Sequence, residues 1–119
     1  MDDWTSAAGR IAGIAERLGL PEVDEGTSYG TPAFKVRGKS FARLKDPQTL
    51  VLLLPMELKD LLMEMSPDTY FETDHYRGWP AVLVRLMEID DAELGQRLAE
   101  AWQHKAPKRL AAARQAPDR

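Results

Sequence analysis

The sequence predicts an α+β fold: an antiparallel sheet of four or five strands with helices packed on one face. Three observations carry that expectation. Residues 4–18 and 91–105 repeat apolar side chains at helical spacing. Between them lie short apolar runs of strand length, bounded by turn formers. Strands and helices do not alternate regularly, and the strand connections are too short for parallel crossovers.

Taken in order, Trp4, Ala8, Ile11, Ala15 and Leu18 share one helix face, with Ile14 beside them. Asp2, Asp3 or Thr5 can cap its start, and Gly19 followed by Leu20-Pro21 stops it. Residues 21–30 read as a loop, because Pro21, Gly26, Ser28 and Gly30 are turn formers. A β-hairpin follows: Thr31–Val36, a turn at Arg37-Gly38-Lys39, then Ser40–Leu44. Turns of two or three residues both fit. Pro32 implies that the first of these strands begins late or lies at an edge. Asp46-Pro47 turns the chain into Leu50–Leu54, an apolar run that reads as a strand buried on both faces.

Pro55 opens a helix with Leu58, Leu61, Leu62 and Met65 on one face, ended by Ser66-Pro67-Asp68. Tyr70 to Tyr76 reads as extended, Arg77-Gly78-Trp79-Pro80 interrupts it, and Ala81–Leu86 is a strand. Asp90 and Glu93 have capping-box spacing before a helix presenting Leu94, Leu98, Ala101, Trp102 and Lys105. Pro107 starts a last helical turn or two carrying Leu110, and residues 116–119 read as a frayed tail. The chain shows no repeat and no domain boundary, so residues 1–119 form one domain. Trp4, Leu18, Leu98 and Trp102 are expected to be mostly buried.

Composition narrows the function classes. An apolar fraction of 44% and a charged fraction of 29% over 119 residues are those of a globular domain with a self-sufficient core. Cysteine is absent, which excludes disulfides, thiolate metal sites and cysteine nucleophiles. Met1-Asp2-Asp3 is an acidic start, and the longest apolar run, Leu50–Leu54, cannot cross a membrane. A cytoplasmic protein without membrane association is expected. A net charge of −3 argues against nonspecific coating of nucleic acid.

Three segments carry a family likeness. They are Glu25-Gly26-Thr27-Ser28-Tyr29-Gly30-Thr31-Pro32-Ala33-Phe34, then Phe71-Glu72-Thr73-Asp74-His75-Tyr76-Arg77-Gly78-Trp79-Pro80-Ala81-Val82-Leu83-Val84, then Ala101-Trp102 with Ala106-Pro107-Lys108-Arg109-Leu110. In that order and spacing the chain resembles the MmcQ/YjbR family, from about residue 4 to residue 110. The resemblance implies a double-wing α+β fold and a DNA-binding role. It brings no settled biochemical activity and no cofactor. Met56 to Met65 carries fewer charged residues than the family often has there.

Charge is unevenly distributed. Lys35, Arg37, Lys39, Arg43 and Lys45 fall within eleven residues that contain no acid. Such a wing can lie along phosphates or enter a minor groove, and equally can protect an edge strand. Lys105, Lys108, Arg109 and Arg114 form a second basic cluster, which also complements a helix C-terminus. Together they suggest DNA contact through the hairpin and the last helix.

The alternative is a small-ligand or protein-interaction module. Asp74, His75, Tyr76, Arg77 and Trp79 can stack on and bond to a planar ligand, or can organise a corner in which Tyr76 and Trp79 pack. Ser28 and Tyr29, in the Glu25–Gly30 loop, can line a pocket or only turn the chain. An enclosed pocket bordered by Ser28, Tyr29, His75 and Trp79 would favour this alternative, and a positive electrostatic face across the hairpin would favour DNA. Catalysis is not expected. His75 and His104 lie on different elements, no metal-ligand spacing is present, and Asp74 beside His75 on a strand would point the opposite way.

Overall fold

The computed structural model describes residues 3–115, so the tail at residues 116–119 lies outside the described residues. Its elements are α1 (Asp3–Leu18), β1 (Val23–Ser28), β2 (Thr31–Val36), β3 (Lys39–Asp46), β4 (Thr49–Leu53), α2 (Met56–Met65), β5 (Tyr70–Phe71), β6 (Ala81–Arg85), α3 (Asp91–Lys105) and α4 (Lys108–Gln115). The six strands form one antiparallel sheet in the order β1-β2-β3-β4-β6-β5. The expected α+β class is therefore found, with one strand more than the upper expectation.

The extra strand is β1, in the segment read as a loop. It lies at the sheet edge, and Asp24 to Thr27 are all exposed. An edge strand wet on both sides has no alternation to reveal it, and its acids discourage pairing with other chains. Tyr29 and Gly30 join β1 to β2 with φ of 54° and 78°, and Arg37 and Gly38 join β2 to β3 with φ of 51° and 81°. Two consecutive positive φ values define the type I′ turn that matches strand twist. The β2–β3 turn thus has two residues.

Pro32 is not at an edge, because β2 is paired on both sides. In a two-residue hairpin the closing pair, Ser28 and Thr31, is the hydrogen-bonded one and the next pair is not. The missing N–H of Pro32 thus faces away from β1, toward β3, whose pairing begins only at Ala33. No ladder bond is lost.

The core lies on one face of the sheet, under the helices. Phe34, Leu44, Leu50, Leu52, Val82 and Val84 meet Ile11 and Ile14 of α1 and Leu94, Leu98 and Trp102 of α3. A bulge skips Phe41, so Phe41 and Ala42 both enter this core and Ser40 falls to the opposite face beside Arg43. Leu98 and Trp102 are fully buried, and Trp102 Nε1 donates to the Pro21 carbonyl at 2.9 Å. Trp4 packs partly buried against the core, as expected, but Leu18 is 39% exposed. Leu18 occupies the last position of α1, where Gly19 turns the chain and Leu20 takes the core position instead. The Asp90 side chain accepts from Glu93 N at 2.8 Å, as the capping spacing predicts.

Candidate functional site

Among the described residues, no helix packs on the opposite face of the sheet. Val51, Leu83 and Ala81 form a small apolar cluster there, bordered by Leu53, Phe71 and Tyr76. Its cover is the chain between β5 and β6. Asp74–Tyr76 is one 3-10 turn rather than the extended segment expected. Gly78 at φ 78° then reverses the chain, which returns through Trp79-Pro80 to β6. A strand could not place Tyr76 over the cluster and Trp79 at its border, because the corner needs a helical turn followed by a left-handed residue.

This corner is held by a residue that sequence reasoning missed. Lys59 of α2 is fully buried. Its Nζ donates to the Tyr76 and Trp79 carbonyls, both at 2.8 Å, and pairs with Glu72 Oε1 at 2.9 Å. An ammonium has three donors, and all three are used. The Lys59 bond, assisted by the charges of Lys59 and Arg77, holds the Glu72 carboxyl below the ordinary carboxylate range. The sequence signal, available only in hindsight, is a lysine three residues before Leu62, on the buried side of a helix whose Leu61 faces outward.

Between this corner and the β1–β2 turn lies an open groove of about 850 Å³. Its floor is Val51, Leu53 and Ala81, with Pro80 beside them. Tyr29, His75, Tyr76 and Trp79 supply aromatic rings, Ser28 and Ser40 hydroxyls, and Arg43 and Lys105 cations. Among the described residues, none that lines it is acidic. Arg43 is held in place: Nη2 donates to Tyr76 Oη at 2.6 Å, Nη1 to Thr31 Oγ1 at 3.4 Å, and the guanidinium lies 5.4 Å from the Tyr29 ring. His75 meets the Tyr76 ring edge-on with centroids 4.8 Å apart.

The four residues named from sequence as borders of an enclosed pocket, Ser28, Tyr29, His75 and Trp79, all line this groove, which is open rather than enclosed. Tyr76 joins them. Asp74 and Arg77 do not line it; they pair with each other at 2.8 Å, one of the roles expected of them. Tyr76 packs as the corner reading required, but Trp79 is 64% exposed and does not. Its carbonyl is anchored by Lys59 while its ring stands at the groove border.

The basic clusters are dispersed. Arg37 forks onto Glu22, with Nη2 to Oε2 at 2.9 Å. Arg43 turns into the groove, and Lys35 pairs across to Ser40 on the same face. Lys39 and Lys45 are exposed at opposite ends of β3. In the second cluster Lys105 reaches the groove, Lys108 and Arg109 are exposed on α4, and Arg114 lies 5.8 Å from the Trp102 ring. The hairpin cations thus do not form one tip, and one residue of each cluster meets in the groove.

An open antiparallel sheet, helices on one face and a groove on the other define a small α+β domain. The YjbR family model matches residues 18–104, and the chain belongs to that family. Relatives include uncharacterized proteins of Mycobacterium bovis and of two strains of Mycobacterium tuberculosis. Each is 47% identical over 53 residues, 44% of this chain and 41% of the relative, so the chain spans well under half of their length in the match. No solved structure matches. Among the described residues no helix is long and apolar enough to cross a membrane.

Proposed function

We propose that this domain is a binding module without catalytic activity, and that the groove is its recognition site for a flat, partly apolar ligand. One observation carries the reading. Residues from β1 through β6 and α3, far apart in sequence, bring four aromatic rings and two cations around an apolar floor. The volume suits a small molecule or a single unit of a polymer. The absence of acids from the lining, and a His75 whose ring partner is Tyr76 rather than a carboxylate, support recognition rather than general acid–base work.

A second reading is duplex DNA bound along the exposed cations. Lys39, Lys45, Lys108 and Arg109 favour it, because none has an ion-pair partner among the described residues. The engagement of Arg37 by Glu22 and the turning of Arg43 into the groove count against it.

Amide chemical-shift mapping separates the two. The full chain is titrated with a panel of small aromatic, aliphatic and ionic compounds, and separately with duplex DNA at several salt concentrations. Aromatic members are expected to shift Tyr29, Arg43 and Trp79 first. Salt-steep duplex binding that shifts Lys39, Lys45 and Arg109, with the groove untouched by the panel, overturns the proposal.

A further inference from the structure

We infer that the groove takes an aromatic ring joined to a phosphate monoester, the chemistry shared by a free nucleotide and by the phosphorylated end of a single nucleic-acid strand. This rests on the groove reading above and adds the ligand's class.

The first argument is charge. The chain is acidic overall, with a net charge of −3. Most of its arginines near acids find them: Arg10 meets Asp91, Arg37 meets Glu22, Arg77 meets Asp74 and Arg97 meets Glu100. Arg43 and Lys105 have no carboxylate partner among the described residues, yet both face one groove that contains no acid. Two cations left facing the same space ask for more than one negative charge. A carboxylate brings one, whereas a phosphate monoester brings about −1.5 to −2 with three acceptor oxygens.

The second argument is preorganisation. Tyr76 and Thr31 fix the Arg43 guanidinium while leaving its Nε free to donate. A cation already immobilised loses little freedom when it binds. Arginine as a planar fork and lysine as a mobile point charge are complementary ways to hold phosphate.

The third argument concerns the ring. Tyr29 is 92% exposed and Trp79 is 64% exposed, although both border an apolar floor. Exposed aromatic faces beside a cationic site are the platform on which unpaired bases stack. Bases inside a duplex hide their faces, so the groove fits a free or strand-terminal ring.

The test is calorimetric titration of the full chain with adenosine 5′-monophosphate, phenyl phosphate, adenosine and inorganic phosphate, followed by shift mapping. The first two are expected to bind in the groove, the last two at least about tenfold more weakly. Arg43→Gln and Lys105→Gln should each weaken the mononucleotide at least about tenfold, because each removes a charge-assisted contact. Trp79→Ala should weaken it several-fold, and Lys108→Gln should leave it unchanged. Lys105 and Trp79 lie at the surface, so their variants keep the test decisive even if Arg43→Gln fails to fold. A 5′-phosphorylated single strand compared with the mononucleotide assigns the source: tighter strand binding indicates nucleic acid, equal or weaker binding a free nucleotide. If adenosine binds in the groove as tightly as its phosphate, the phosphate inference falls while the groove reading stands. If no aromatic probe, charged or neutral, perturbs Tyr29 and Trp79, both fall.

Discussion

The two faces of the sheet share the same strands and differ in what covers them. On the helix side, Phe34, Leu44, Leu50, Leu52 and Val84 meet the stripes of α1 and α3, and the packing is mainly apolar. On the other side, Val51, Ala81 and Leu83 are covered by a single irregular corner, fixed through the buried ammonium of Lys59. The covered face is held by area, which is spread over many side chains and tolerant in kind. The open face is held by a few directional bonds, which place a wall accurately but concentrate the risk in one residue. In that arrangement the wall is fixed while the floor stays accessible.

Breaking the covered face should have the largest effect on stability. Trp102→Ala removes a fully buried ring and its Nε1 bond to Pro21. About 3–5 kcal/mol should be lost in urea unfolding. A loss below about 1 kcal/mol would show that α3 contributes little to the fold.

Lys59→Met sharpens the comparison, since methionine keeps most of the stem's volume and removes the charge. The Glu72 carboxylate and two carbonyls lose their donor, a loss of about 3 kcal/mol by analogy with broken buried pairs. The informative readout is local: the Trp79 indole resonance should move and groove binding should vanish, while the dispersion of helix-face methyl resonances stays native. Intact groove binding in a destabilised Lys59→Met variant would mean that the corner does not depend on Lys59.

The covered face was readable in the sequence and the open face largely was not, for physical reasons. Helical spacing at Ile11, Ile14, Leu94, Leu98 and Trp102 reports one-sided burial, so the packing of both long helices follows from it. Leu18 broke the pattern because a helix end is leaving the core. At β1, polar residues on both sides of an edge strand carry no period to read. The groove was legible only in part. Hydroxyl and aromatic types marked Ser28, Tyr29, His75 and Trp79, but Val51, Leu53 and Ala81 look like any core strand until the helices choose the other face. Lys59 was hidden because a lysine on a helix is ordinarily solvated. The dispersal of the hairpin cations was hidden because residues close in sequence alternate faces and meet different partners.

Acid should separate the two faces more gently. The Glu72 carboxyl lies below its ordinary value of 4.5 because Lys59 bonds to its charged form, so folding favours the ionised state. Its stabilisation is complete above the unfolded pKa and is lost as pH falls through the lower, folded one. Stability measured from pH 6 down through pH 4 should therefore decline more steeply in the wild type than in Glu72→Gln. Parallel declines would show that the Lys59–Glu72 pair is not coupled to folding.

The smallest expected effect is on the hairpin, where neutralising Lys35, Arg37 and Lys39 together tests whether these charges matter at all. Among the described residues the only ion pair removed is Arg37–Glu22, whose side chains are 53% and 47% exposed. Exposed pairs of this kind contribute little to stability, so the melting temperature should move little. None of the three residues lines the groove, so affinity there should also hold within a factor of about two. Duplex DNA provides the contrast. If the hairpin neutralises phosphates, the wild type binds duplex at low salt, and the triple variant loses affinity for every sequence together with about one unit of salt slope per lost contact. That outcome, with an unchanged groove, would move the recognition surface from the open face to the β2–β3 turn. If neither protein binds duplex and both bind the groove ligand equally, the hairpin cations only keep the strands soluble, and recognition belongs to the face that the helices leave bare.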